Sequence, residues 1–127
     1  MKMSFILIDD DKISNFINER IIRLEYPQAE IIPYTNPIKG LEFISTHLTK
    51  KSFLFLDINM PEMTGWEFIE QINQIDLSIK QNLQIYMLSS SIEPADLEKV
   101  KNNENIIGFI EKPLTTQFLT SLKISTL

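Results

Sequence analysis

The 127-residue chain contains no cysteine. That excludes disulfides, thiolate catalysis and cysteine metal sites, and it fits a reducing cytoplasm. Histidine occurs once, as His47, so a histidine-built metal centre is excluded too. No stretch approaches the roughly 18 apolar residues that a spanning helix needs. The opening run Phe5-Ile6-Leu7-Ile8 is too short for a signal-peptide core and is closed by acid. The expected location is therefore cytoplasmic, with no membrane insertion. Basic residues are also in deficit, 12 against 17 acidic ones, for a net charge of −5. Non-specific nucleic-acid binding and acidic membranes both rely on a basic surface, so neither is expected. There is no internal repeat, low-complexity tract or interdomain linker, and 127 residues suffice for one domain but not two.

What is present centres on Phe53-Leu54-Phe55-Leu56-Asp57. Four large apolar residues without alternation suggest a strand buried on both faces, as in a parallel sheet covered by helices. An aspartate directly after such a strand stands at its carboxyl end, where open α/β sheets place their ligand sites. Pro61 and Gly65 then mark a tight loop before a helical pattern begins at Trp66.

The rest of the chain repeats this alternation. Residues 4–8, 30–34, 53–56, 84–88 and 106–110 read as strands. Ile13, Phe16, Ile17, Ile21 and Leu24 recur at three- and four-residue intervals, predicting the buried face of a first helix. Asn36-Pro37 is a helix start, with Ile38, Leu41, Ile44 and Leu48 on the buried side. Trp66, Ile69, Ile72 and Ile75 mark a third helix, and residues 76–83 read as a loop. Residues 95–101 form a short helix whose only strong apolar positions are Leu97 and Val100, so it is expected to be loosely held. Thr115 caps a last helix carrying Phe118, Leu119 and Leu122. Five strand–helix units predict an α/β, doubly wound parallel sheet with helices on both faces. Right-handed crossovers in a chain this short favour the flavodoxin-like order 2-1-3-4-5.

In such a sheet all carboxyl ends share one edge. Asp9 and Asp10 follow the first strand, Asp57 the third, Ser89 the fourth and Lys112 the fifth. Three crowded carboxylates repel one another, and an all-oxygen site without histidine or cysteine suits Mg²⁺. A cation and an ammonium facing one carboxylate make a site for a phosphoryl group, with Asp57 as nucleophile and Ser89 as hydrogen-bond donor.

These residues resemble the receiver domain of two-component response regulators over the whole chain. The resemblance rests on Ile8-Asp9-Asp10, on Leu56-Asp57-Ile58-Asn59-Met60-Pro61 through Gly65, on Leu88-Ser89-Ser90 and on Phe109-Ile110-Glu111-Lys112-Pro113. It implies that Asp57 is the phosphoacceptor and that Asp10, Asp57 and the Asn59 backbone carbonyl hold Mg²⁺, with Asp9 acting through water. It implies that Ser89 is the switch hydroxyl, that Lys112 contacts the phosphoryl group and that the Lys112–Pro113 peptide is cis. Phe109 falls at the switch aromatic position, where its missing hydroxyl removes one hydrogen bond, or it is simply core. Asn59 and Ser91, two residues past Asp57 and Ser89, are expected to tune the aspartyl-phosphate lifetime.

The implied function is a single-domain regulator spanning residues 1–127 with no output domain. It would take a phosphoryl group from a histidine kinase or phosphotransfer protein and switch binding of a downstream protein, or dimerise, through a face running from about residue 94 to 127. It would catalyse only its own phosphorylation and dephosphorylation. The alternative is a phosphorylation-independent interaction module, which a missing Asp57, Asp10 or Lys112 would have favoured. A Mg²⁺-dependent phosphohydrolase would want a second aspartate where Asn59 stands. A flavin-binding protein of the same fold would want a Ser/Thr/Gly-rich phosphate loop where the three aspartates stand. Asp11 reads as a helix cap, His47 as solvent-facing and Trp66 as a packing residue.

Overall fold

The computed structural model describes residues 3–122. Its elements are β1 (Ser4–Ile8), α1 (Lys12–Glu25), β2 (Glu30–Tyr34), α2 (Pro37–His47), β3 (Ser52–Asp57), α3 (Gly65–Ile72), α4 (Leu77–Lys80), β4 (Leu83–Ser89), α5 (Pro94–Lys101), β5 (Ile106–Glu111) and α6 (Thr116–Thr120). The strands are all parallel and lie in the order β2-β1-β3-β4-β5, as expected.

Every residue of β1 and β3 is buried. Their side chains alternate between two cores. Ile6, Ile8, Leu54 and Leu56 meet Ile44 of α2 and Phe68, Ile69 and Ile72 of α3. Phe5, Leu7, Phe53 and Phe55 meet Ile22 of α1 and Leu119 of α6. Phe5 also stacks on Phe53, with ring centroids 5.4 Å apart. Burying each such side chain contributes roughly 1.5–3 kcal/mol, which makes these two strands the rigid centre of the sheet. The residues at their carboxyl ends inherit that rigidity.

Three expectations need correction. The buried face of α1 is Asn15, Asn18 and Ile22. Ile13, Phe16, Ile17 and Leu24 are 68, 59, 43 and 75 % exposed, and Ile21 is half-buried. The reason lies in distant backbone groups: the carbonyls of Asp9 and Tyr34 and the N–H of Leu114 need polar partners, and the two asparagines supply them. Second, Ile38 of α2 is 50 % exposed. Pro37, Gly40 and Ile44 take the sheet side instead. The helix backbone lies so close that a Cβ on Gly40 would stand 2.7 Å from Ile8 Cδ1. Third, the segment read as a loop holds the single-turn helix α4, closed by Lys80 N–H donating to the Asp76 carbonyl at 3.0 Å. Its polar composition hides it.

Two other readings stand. Helix α5 buries none of its residues. Thr115 caps α6, accepting from Phe118 N–H at 3.1 Å, and Leu119 and Leu122 are buried beyond it.

Candidate functional site

The carboxyl ends of the strands are locked to one another by backbone hydrogen bonds. Asp9 N–H donates to the Tyr34 carbonyl at 3.1 Å, Ile58 N–H to Leu88 at 3.0 Å and Lys112 N–H to Ser89 at 2.9 Å. This fixes the heights at which Asp9, Asp57 and Lys112 leave the sheet. The Lys112 ammonium lies 2.7 Å from Asp9 Oδ2 and 3.1 Å from Asp57 Oδ1. Asp9 and Asp57 are 1 % and 4 % exposed, while Asp10 is exposed.

Burial raises the pKa of Asp57, and the neighbouring Asp9 charge raises it further. Lys112 and a backbone hydrogen bond from Asn59 pull the other way, and the pKa is left raised to about 6. For Lys112 burial pulls the ammonium down. Asp9 and Asp57 more than offset this and leave it above its ordinary value. The site thus holds more negative charge than one lysine neutralises.

Carboxylate oxygens of Asp9, Asp10 and Asp57 lie within 4.8 Å of one another. These are hard donors, one of them on an exposed side chain, with a surplus of negative charge. That is the donor chemistry a small divalent cation takes, so the residues fit Mg²⁺. Asn59 sits in the exposed loop just beyond.

The turn after Asp57 depends on Gly65. Its N–H donates to the Ile58 carbonyl at 2.8 Å. A Cβ there would stand 2.7 Å from the Asp57 carbonyl oxygen and 2.9 Å from Ile58 Cα, both backbone atoms. Helix α3 starts at once, through a capping box in which Thr64 and Glu67 each accept from the other's backbone N–H.

Ser89 is 1 % exposed, but its hydroxyl faces its own loop. It donates to the Ser91 carbonyl at 2.5 Å and accepts from Ser91 N–H at 3.1 Å. Phe109 is half-buried and packs against the core on the α2–α3 side. The Lys112–Pro113 peptide is cis. Asp11 caps α1, accepting from Ile13 N–H at 2.9 Å, and His47 is exposed.

Two features escaped the sequence reading. Asn15 donates to the carbonyls of Asp9 at 3.2 Å and Tyr34 at 3.1 Å, and Asn18 accepts from Leu114 N–H at 3.2 Å. Hydrophobic periodicity is blind to both; two asparagines one turn apart behind the acidic triplet were the available signal. Trp66 does pack, and it also donates its indole N–H to Asp96 at 3.1 Å, with the Lys99 ammonium 5.3 Å from its ring centroid. Contacts over 30 residues between a tryptophan and a polar helix leave no local pattern.

Residues 5–122 match the response regulator receiver domain family. A two-component response regulator from Cytophaga hutchinsonii is 34 % identical in structural alignment, with a TM-score of 0.86 over 99 % of this chain and 98 % of that one. Stress response regulator protein 1 of Scheffersomyces stipitis is 38 % identical over 71 residues, 56 % of this chain and 24 % of its own length. The chain thus spans about a quarter of that relative. Two-component response regulator ARR17 of Arabidopsis thaliana is 23 % identical over 96 % of this chain and 83 % of its own. Among the described residues, no helix is long and apolar enough to cross a membrane. The chain belongs to the response regulator receiver domain family of two-component signalling.

Proposed function

We propose that the chain accepts a phosphoryl group on Asp57 from the phosphohistidine of a kinase or phosphotransfer protein. The observation that carries this is the position of Lys112, within 3.1 Å of both buried carboxylates. In the reaction an Asp57 oxygen attacks phosphorus, the phosphorus–nitrogen bond breaks, and the imidazole nitrogen leaves with the electron pair. Lys112 is placed to neutralise the oxygens of the transferred group. Asp10, Asp57, the Asn59 carbonyl and, through water, Asp9 would hold Mg²⁺, which would supply the remaining charge neutralisation when bound. Asp9 holds Lys112 toward the crevice in the meantime.

The donor docks on α1. Ile13 and Ile17 are exposed on that helix, and with Asp11, Ser14, Asn18, Lys112 and Pro113 they line a concavity at the rim of the crevice. An apolar helix face there has no use within the domain. The output face is α5, β5 and α6, where Leu97 and Ile107 are 46 % and 53 % exposed. Phosphorylation biases that face by drawing the Ser89 hydroxyl away from Ser91, with Phe109 following.

The test is intact mass after incubation with Mg²⁺ and acetyl phosphate or phosphoramidate, for wild type and Asp57→Asn, with and without chelator. Gain of one phosphoryl mass by the wild type alone, abolished by chelator, is the expected result. Equal gain by Asp57→Asn would place the acceptor elsewhere. No gain with either donor or a cognate phosphohistidine protein would leave a phosphorylation-independent module.

A further inference from the structure

The buried face of α1 is polar where a helix against a sheet is ordinarily apolar, and its two asparagines reach opposite ends of one ion pair. Asn15, 5 % exposed, holds the backbone carbonyl of Asp9. Asn18, 1 % exposed, holds the backbone N–H of Leu114, two residues past Lys112 and 96 residues away in the chain. Asp9 and Lys112 are the partners of the 2.7 Å ion pair.

As stability devices these side chains are poor. Among the described residues neither Asn15 Oδ1 nor Asn18 Nδ2 has a protein partner, so each amide is buried only half-matched. Leucine would fill a similar volume without that penalty. What leucine cannot do is accept a hydrogen bond from Leu114. On its other side the Lys112 backbone is pinned by its bond to Ser89. Lysine has a long, flexible stem, so the ammonium's place depends on where its backbone is held. The buried acceptor on Asn18 fixes the far side of that turn.

We propose that Asn18 is a positioning residue, which sets the Lys112 ammonium against Asp9 and Asp57 by anchoring the turn at Leu114. The proposal rests on the phosphoryl-transfer reading for its consequence, but the anchoring itself can be read without it. Asn18→Leu removes the acceptor, and Asn18→Asp keeps an oxygen in its place. With Mg²⁺ and acetyl phosphate, Asn18→Leu should lower the initial phosphorylation rate roughly tenfold, and Asn18→Asp should recover most of it. In a Lys112→Ala background the leucine substitution should cost nothing further. A merely structural role would lower the folded fraction and leave the rate per folded molecule unchanged, and it would act equally in both backgrounds; either result overturns the proposal.

The second readout needs no phosphorylation. Hydrogen exchange at the Leu114 amide should quicken about tenfold in Asn18→Leu, and acetic anhydride should acylate Lys112 faster relative to the surface lysines. Unchanged exchange and labelling overturn the proposal. Should the wild type take no phosphoryl group at all, the functional reading fails, and exchange and labelling still decide the positioning. If Asn18→Leu does not fold by circular dichroism, Asn18→Ser, whose shorter hydroxyl cannot reach as far, carries the same comparison.

Discussion

In metal-free protein Asp57→Asn is expected to stabilise the fold near neutral pH. The native pKa of Asp57 is raised from 3.8 to about 6, because the carboxylate is buried and faces Asp9. A raised native value means that folding favours the protonated acid. The stability this group contributes is fully present below pH 4 and is lost as pH rises through about 6. The shift of roughly 2 units, at about 1.4 kcal/mol each, amounts to about 3 kcal/mol at pH 7.5 and about half of that at pH 5. Asparagine has no charge to bury, so it escapes that loss while keeping the shape. For a domain of this size 3 kcal/mol corresponds to about 10 °C in melting temperature. Urea unfolding of both proteins in chelator at pH 5 and 7.5 measures it. The gap should widen with pH, and Mg²⁺ should narrow it, since a cation relieves the wild type alone. Equal stability at pH 7.5, or an advantage for asparagine that grows toward acid, would refute the reasoning.

Gly65→Ala forces a Cβ against the Asp57 carbonyl and Ile58 Cα, and neither backbone atom can yield cheaply. It is expected to cost about 1–3 kcal/mol in chemical denaturation and to slow phosphorylation by displacing Asp57. Trp66→Phe removes the indole bond to Asp96. The loss of about 1 kcal/mol should speed hydrogen exchange in α5 roughly fivefold while leaving β1 and β3 unchanged. Asn59→Ala and Ser91→Ala, which alter the rim of a concavity also bounded by Thr64, Trp66 and Asp96, should change the aspartyl-phosphate lifetime. Decay of the phosphorylated mass at a rate equal to wild type in the double variant would dismiss both residues.

Most of the sheet was legible because β1 and β3 are buried on both faces and so read as unbroken apolar runs ending in acid. Asp9, Asp57 and Lys112 were legible for a topological reason: parallel strands deliver their ends to one edge. The α1 face was not legible. Periodicity counts apolar residues and assumes they point inward, yet here Phe16 and Leu24 point out and two asparagines point in. What decides the register is the demand of distant backbone groups for partners, which no window of local sequence contains. The Ser89 hydroxyl shows the same limit. Its place at the end of β4 could be read, but its present engagement with Ser91 could not.

Helix α5 rests on the domain without inserting a buried side chain. An indole hydrogen bond, a cation over a ring and the half-buried Val100 hold it, together worth on the order of 2–3 kcal/mol. The weaker that hold, the larger the fraction of molecules in which the helix is displaced before any signal arrives. A partner that recognises the displaced form therefore meets a standing background of it. On the proposed function, the looseness through which a phosphoryl group on Asp57 would throw the switch also sets how quiet the unstimulated pathway would be.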